Sequence, residues 1–257
     1  MLPNQRREKI LELIREKGHA KVIDLSRIFK VTEVTIRQDL ERMEKENIIV
    51  REHGGAYLKD NDSNIRTFNL QNQDNIAEKI AIARKAVEFI ADGDTIILDS
   101  GSTTTEIAKL LTNYRNLTVI TNALNIALIL GAQMGITVIV TGGEFKAPTL
   151  SLTGQKAADF FQSLHVDKLF LATAGIALKS GLTYPGISDI CVKRAMIDSV
   201  NETFLVADSS KIGKSSFASL GALSLINYLI TDSKITADDI KWLKNNDVKF
   251  VIAEAEE

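Results

Sequence analysis

The run from Val31 to Tyr57, VTEVTIRQDLERMEKENIIVREHGGAY, restricts the fold more than any other part of the chain. As a helix, its first half brings Ile36, Leu40, Met43 and Asn47 into one narrow arc, so three apolar side chains share a stripe that must be buried. Val34, Thr35, Gln38, Glu41, Arg42 and Lys45 fall on the far side with Arg37 at its flank, the mixture of hydrogen-bonding and basic groups that base reading needs. Thr32 is placed to cap the helix, its hydroxyl accepting an otherwise unpaired backbone N–H, and Glu33 suits the positive end of the dipole. The helix is expected to stop near Asn47. Ile48, Ile49 and Val50 then form a β-branched run, and His53-Gly54-Gly55 supplies the φ > 0 freedom of a tight turn, so a short hairpin should follow. A helix followed by a small hairpin is a winged-helix pattern. Alone, it also describes an ordinary amphipathic helix with a solvated face, and the preceding residues decide between the two.

Residues Asn4 to Glu16 set Ile10, Leu11, Leu13 and Ile14 among Arg6, Arg7, Lys9 and Arg15, another apolar stripe with a charged exterior, and Gly18 ends it. A second helix is expected from Val22 to Phe29 with Val22, Leu25, Ile28 and Phe29 facing inward, followed by a turn at Lys30-Val31. About three residues join it to the next helix, the helix-turn-helix spacing in which the later helix enters the major groove. RREKILELI and LSRIFKVTEVTIRQDLERMEKENIIVREHGGAY together resemble the N-terminal domain of DeoR-family bacterial transcriptional regulators, with helix, turn, recognition helix and HGGA wing in the expected order. The resemblance implies double-stranded operator DNA as partner. Gln38 departs from it, standing where the family often has a second Arg after Arg37; Gln pairs bidentately with adenine, whereas Arg favours guanine. Residues 1 to 57 hold twelve Lys and Arg against ten Asp and Glu, so the placement of charge matters more than its total. Arg6, Arg7, Arg37, Arg42, Lys45 and Arg51 are the candidate phosphate contacts, and Thr32, Val34, Thr35, Gln38 and His53 complete the expected DNA-binding set.

At 257 residues, 45% hydrophobic and 25% charged, the chain is long enough for about two domains with real cores. The polar run from Leu58 to Asn75, rich in Asn, Asp and Gln, reads as a linker, although Ile65, Phe68 and Leu70 offer points of attachment. The expected division is a DNA-binding domain over 1–58, a linker over 59–73 and a second domain over 74–257. A single Cys191 and the polar start MLPNQRREK point to a reducing, cytoplasmic setting. Cys191 lacks an evident His partner and reads as a small core or pocket-side residue. Ala123 to Val140 is uncharged and approaches spanning length, but Asn125, Gln133, Gly131 and Gly135 interrupt it and ITVIV reads as a buried strand, so no membrane association is expected.

From Ile76 onward helical and strand segments alternate, which argues for an α/β domain with a largely parallel sheet. Strands are expected at Thr95–Leu98, Leu117–Ile120, Ile136–Val140, Lys168–Thr173, Thr203–Ala207, Tyr228–Thr231 and Lys249–Ile252, with a helix over Ile76–Ile90. Ligands gather where such strands end. At the first junction, DSGSTTTEIAKLL, Gly101 permits a sharp turn while Ser102, Thr103 and Thr104 set hydroxyls beside the free N–H groups of a helix start, an arrangement that either binds an anion or merely caps the turn. Thr121-Asn122, Thr141-Gly142-Gly143, Ala174-Gly175 and Asp208-Ser209-Ser210-Lys211 follow the other strands.

DSGSTTTE, VITN, VTGGEF, GLTYPGISDICVKRAM and VADSSKIGK resemble the C-terminal sensor domain of DeoR-family regulators, whose fold is similar to ribose-5-phosphate isomerase. The resemblance implies a phosphorylated sugar or sugar derivative as effector, with Ser100, Gly101, Ser102, Thr103 and Thr104 around its phosphate and Lys193 and Lys211 supplying charge. Asp99, Thr121, Asn122, Gly142, Gly143, Gly175, Asp189, Asp208 and Ser210 complete the expected effector set. Asp189 and Lys193, four apart on a helix, are alternatively a plain surface pair. No cofactor and no metal site is expected. The leading expectation is therefore an effector-controlled transcriptional regulator, a repressor of a carbohydrate-use operon, working as a homodimer or homotetramer. The rival is a sugar-phosphate isomerase with a DNA-binding appendage, using Asp99, Asp189 or Asp208 as base. The blandest alternative is a constitutive DNA binder whose second domain only oligomerises.

Overall fold

A computed structural model describes residues 3–17, 19–46, 49–52, 54–58 and 74–254. The chain forms two compact units that divide between Arg66 and Thr67. The expected linker, 59–73, lies outside the described residues, as do Gly18, Asn47, Ile48 and His53.

In the first unit, α1 (Pro3–Lys17), α2 (Val22–Phe29) and α3 (Glu33–Lys45) pack around Ile10, Ile14, Val22, Leu25, Ile36, Leu40 and Met43, all buried. Ile28 departs from expectation. It is 53% exposed, because α2 spans two turns and buries only the stripe through Val22 and Leu25, backed by the half-buried Phe29. Lys30 adopts the left-handed conformation (φ 53°), its N–H bonding to the Ser26 carbonyl, and this ends α2 in time for Thr32 to cap α3 by accepting from the Thr35 N–H at 3.2 Å. The expected hairpin is present as β2 (Ile49–Glu52) and β3 (Gly55–Leu58), with Gly54 at φ 91° between them. A third strand, β1 (His19–Lys21), pairs with β3 and was not anticipated. Gly55 allows that pairing, since a Cβ there would stand 2.5 Å from the Ala20 carbonyl oxygen.

The second unit is built on a seven-stranded parallel sheet comprising β4 (Thr95–Leu98), β5 (Leu117–Thr121), β6 (Ile136–Val140), β9 (Val166–Leu171), β12 (Val200–Val206), β14 (Tyr228–Asp232) and β15 (Phe250–Ala253), in the order β15-β14-β12-β9-β4-β5-β6. Alternate strand residues fill two cores. Ile96, Leu98, Val119, Phe170 and Phe204 share one with α4 (Ile76–Val87), α5 (Ser102–Leu110) and α6 (Leu124–Leu130). Ile97, Ile120, Leu169, Leu171 and Leu205 share the other with α7 (Gln155–Asp159), α8 (Ile187–Asp198) and α9 (Ala237–Asn245). The Ala123–Val140 stretch contains a short helix and β6, which is not the buried strand expected of ITVIV but the edge of the sheet, with Ile139 and Val140 exposed; no helix among the described residues is long and apolar enough to cross a membrane. Two small antiparallel additions escaped the sequence reading: the hairpin β7 (Glu144–Lys146) with β8 (Ser151–Thr153), and a sheet of β10 (Gly175–Ala177), β11 (Gly181–Tyr184) and β13 (Ala218–Gly221).

From β4 the chain moves outward through β5 to β6, then returns to lay β9 on the other side of β4. The carboxyl ends of β4 and β9 therefore flank a switch point, where a parallel sheet opens a crevice.

Candidate functional site: a cleft at the sheet switch point and an exposed helix face

Asp99 follows β4 directly and is fully buried. Its carboxylate accepts from the Ser100 N–H at 2.7 Å and the Ala172 N–H at 3.1 Å, tying the ends of β4 and β9 together, and it is ion-paired with Lys193. Burial pushes the Asp99 carboxyl above its usual range, against the opposing pull of Lys193 and the two amides. Lys193 Nζ also reaches Ser100 Oγ at 3.2 Å and lies 5.7 Å from the centre of the Tyr184 ring. The Tyr184 hydroxyl donates to the Ala172 carbonyl at 2.8 Å, and burial, with Asp99 nearby, raises its pKa well above the ordinary value.

Above this buried floor lies a cleft with about 680 Å³ of empty space, part of it open to solvent. Of the expected effector residues, Ser100, Gly101, Ser102, Thr103, Asp189, Lys193 and Lys211 line it. The free N–H groups of the first turn of α5 belong to that wall, next to Lys211 in the turn after β12. Gly101 has an extended backbone (φ −179°), so it is not conformational freedom that fixes this residue. A Cβ there would come 2.5 Å from the Ala172 side chain, and the absence of one lets β4 and β9 close together.

The other expected residues do not line the cleft; several of them brace it, whereas Gly142, Gly143 and Gly175 do neither. Thr104 Oγ1 donates to the Gly101 carbonyl, and Thr121 Oγ1 to that of Leu98. Asn122 bridges the loop, accepting from the Ser100 N–H at 3.1 Å and donating to the Leu152 carbonyl at 3.1 Å. Asp208 accepts from Asn75 Nδ2 at 3.0 Å and from Ser210, and so fixes the turn that carries Lys211. Gly175 sits in β10, while Gly142 and Gly143 are exposed beyond β6. Asp189 and Lys193 do not pair with each other. Asp189 takes Lys146 at 2.7 Å, and Lys193 takes Asp99. Thr149, Thr173 and Tyr184 also line the cleft without being among the expected site residues: Thr149 and Tyr184 sit in elements too short for a periodic signal, and Thr173, expected as the last residue of a strand, lies in the loop that follows β9. The half-buried Cys191 bonds to the Ser188 carbonyl and takes no part.

On the first unit, Thr32, Val34, Arg37, Gln38, Arg42 and Lys45 are exposed along one face of α3, with Thr35 half-buried beside them. Arg37, Arg42 and Lys45 are held by Glu33, Glu46 and Glu41 on the same helix face. Arg7 and Arg51 reach Glu46 and Glu44, each at 3.6 Å. Arg6 does not fit the DNA-binding expectation: it is buried, its Nε 2.5 Å from Asp39, pinning α1 to α3 from inside. Asp39 was missed because a lone acid on a charged helix reads as solvated.

The family model described as the DeoR-like helix-turn-helix domain matches residues 6–62, and that of the DeoR C terminal sensor domain matches residues 74–233. Among curated relatives, the uncharacterized HTH-type transcriptional regulator YulB of Bacillus subtilis is 38% identical, covering 97% of this chain and 96% of its own. The HTH-type transcriptional repressor GlcR of the same organism is 32% identical over 100% and 99% of the two chains, and the glycerol-3-phosphate regulon repressor of Escherichia coli is 32% identical over 91% and 92%. A solved ribose 5-phosphate isomerase from Methanocaldococcus jannaschii is similar over 55% of each chain at a TM-score of 0.39 and 17% identity. With both domains matched in order and relatives aligned along nearly their whole length, the chain belongs to the DeoR family of transcriptional regulators, and it is a regulator rather than an enzyme.

Proposed function

We propose that this protein represses a carbohydrate-use operon and that a phosphorylated sugar or sugar derivative, bound in the cleft, sets its affinity for operator DNA. The observation that carries the reading is the meeting, in one cleft, of the first turn of α5 with Lys211. Free N–H groups at the positive end of a helix dipole, next to a lysine, suit a phosphate. The relatives named for glycerol-3-phosphate and for repression point the same way.

On the DNA side, the α3 face enters the major groove, with Thr35 and Gln38 toward base edges and Arg7, Arg37, Arg42, Lys45 and Arg51 toward phosphates. A two-fold symmetric operator requires at least a homodimer, with a homotetramer as the next closed assembly. The effector changes operator affinity only by as much as it binds the two arrangements of the protein unequally; typical couplings of about 1–3 kcal/mol correspond to about 5- to 150-fold.

The test is fluorescence anisotropy of labelled DNA from upstream of the protein's own gene, titrated with the protein in the presence and absence of a panel of phosphorylated sugars. One or more members should shift the operator dissociation constant by at least about fivefold. Specific operator binding that no member alters would establish the constitutive DNA binder in place of this reading.

A further inference from the structure

The charged side chains at the cleft are paired off with one exception. Asp99 is neutralised by Lys193 and Asp189 by Lys146, whereas Lys211 has no carboxylate partner among the described residues. Two ion pairs contribute no net charge, and the Asp208 carboxylate, buried behind the turn that carries Lys211, has the buried Lys79 within electrostatic range, which leaves Lys211 and the positive end of α5 as the unbalanced part of the wall. One anionic group is therefore wanted there, and none elsewhere.

The pair farther along is built in rather than incidental. Lys146 comes from β7, 43 residues before Asp189 in sequence, and the turn that follows it also brings Thr149 to the cleft. Glycine at position 186 leaves room for it, since a Cβ there would stand 3.0 Å from Asp189 Oδ2 and 3.4 Å from Lys146 Nζ. Asp189 is buried, so its charge interactions are less screened than those of a surface acid.

Resting on the reading of the cleft as a phosphosugar site, we infer that Lys146 and Asp189 select the body of the effector, admitting a singly phosphorylated, otherwise uncharged polyol. An ammonium brought to Asp189 meets Lys146 already in place, and a carboxylate or second phosphate brought to Lys146 meets Asp189. A hydroxyl both donates and accepts, so it can serve the two partners without unbalancing them.

The test is calorimetric titration of the full-length protein with inorganic phosphate and then with sets sharing a skeleton: glucose 6-phosphate, glucosamine 6-phosphate and 6-phosphogluconate, and fructose 6-phosphate against fructose 1,6-bisphosphate. Inorganic phosphate should bind, and within each set the neutral monophosphate should bind at least about tenfold tighter than its charged analogues. Lys146→Met should move the ratio about tenfold toward the amine, and Asp189→Asn should move it by a similar factor toward the acid. A merely loosened fold weakens every member alike, and the melting temperature of each variant reports it separately. Charged members binding as tightly as neutral ones, ratios unmoved in both variants, or neutral monophosphates binding no tighter than inorganic phosphate would each overturn the selection. If phosphate and every monophosphate fail alike, the phosphosugar reading of the cleft falls with it.

Discussion

The α3 face of the first unit and the cleft of the second use ion pairs in opposite ways. Along α3, Arg37 and Glu33 are 60% and 45% exposed at the side chain, whereas in the cleft Lys193 and Asp99 are 5% and 0% exposed. An exposed i,i+4 pair is worth about 0.3–0.5 kcal/mol and is screened by salt, so a DNA phosphate replaces the glutamate at little cost. A buried pair cannot be surrendered in this way, because removing one partner strands the other in a poorly solvated site. In the function proposed above, the α3 face exchanges its partners on DNA and the cleft keeps its own. Among the described residues of the first unit, Arg6–Asp39 is the exception, a buried pair behind an exchangeable surface.

The largest break in this contrast should come from that exception. Arg6→Ala leaves Asp39 buried and unpaired and should cost about 3–5 kcal/mol of stability, whereas Arg6→Met combined with Asp39→Leu should come close to wild type. Urea unfolding followed by circular dichroism measures both. A loss below about 1 kcal/mol for the single variant would show that Arg6 is freer than its burial implies, and would return it to the DNA-contact set.

Lys193→Met should cost about 3 kcal/mol at neutral pH, somewhat less than a stranded charge, because the Asp99 carboxyl can take up a proton instead. Burial already holds its pKa above the unfolded value, so its protonated form favours the folded state. That contribution is fully present below the unfolded pKa and is lost as pH rises through the raised folded one. The variant should therefore approach wild-type stability in acid and fall away as pH rises through that window. A deficit independent of pH would mean that Asp99 does not titrate there.

These pairs mark the limit of what the sequence reveals. Periodicity located the faces: Ile36, Leu40 and Met43 are buried where a four-three spacing puts them, and DSGST does sit at the end of a central strand. Spacing does not say which cation meets which acid when the partners are 33, 43 or 94 residues apart, as Arg6–Asp39, Lys146–Asp189 and Lys193–Asp99 are. Asp189 and Lys193 show the trap. A spacing of four invited pairing with each other, but both turn inward, where tertiary partners supplied by β7 and β4 win. The short strands β7, β8, β10 and β11 leave too few residues for an alternating pattern, so Thr149 and Tyr184 stayed unseen until topology placed them.

Thr32→Ala tests the exchangeable side at its backbone. The cap bond from the Thr35 N–H would be lost, at a cost of about 1 kcal/mol, and thermal unfolding of the first unit would register it. An unchanged midpoint would mean that water replaces the hydroxyl without loss.

Arg37→Ala should have the smallest effect on stability and yet be the sharpest test of exchange. Only an exposed pair with Glu33 is lost, so the unfolding free energy should move by less than about 0.5 kcal/mol. If Arg37 gives up Glu33 for a phosphate on the duplex, one counterion fewer is released by the variant, and the slope of log affinity against log salt should shrink by about 0.9. Glu33→Gln should act in the opposite direction on affinity, since it frees Arg37 before DNA arrives while leaving the slope unchanged. A slope unaltered in Arg37→Ala would mean that the arginine stays with its glutamate in the complex, and the distinction between exchangeable and fixed pairs would then have to be drawn through Arg42 and Lys45 alone.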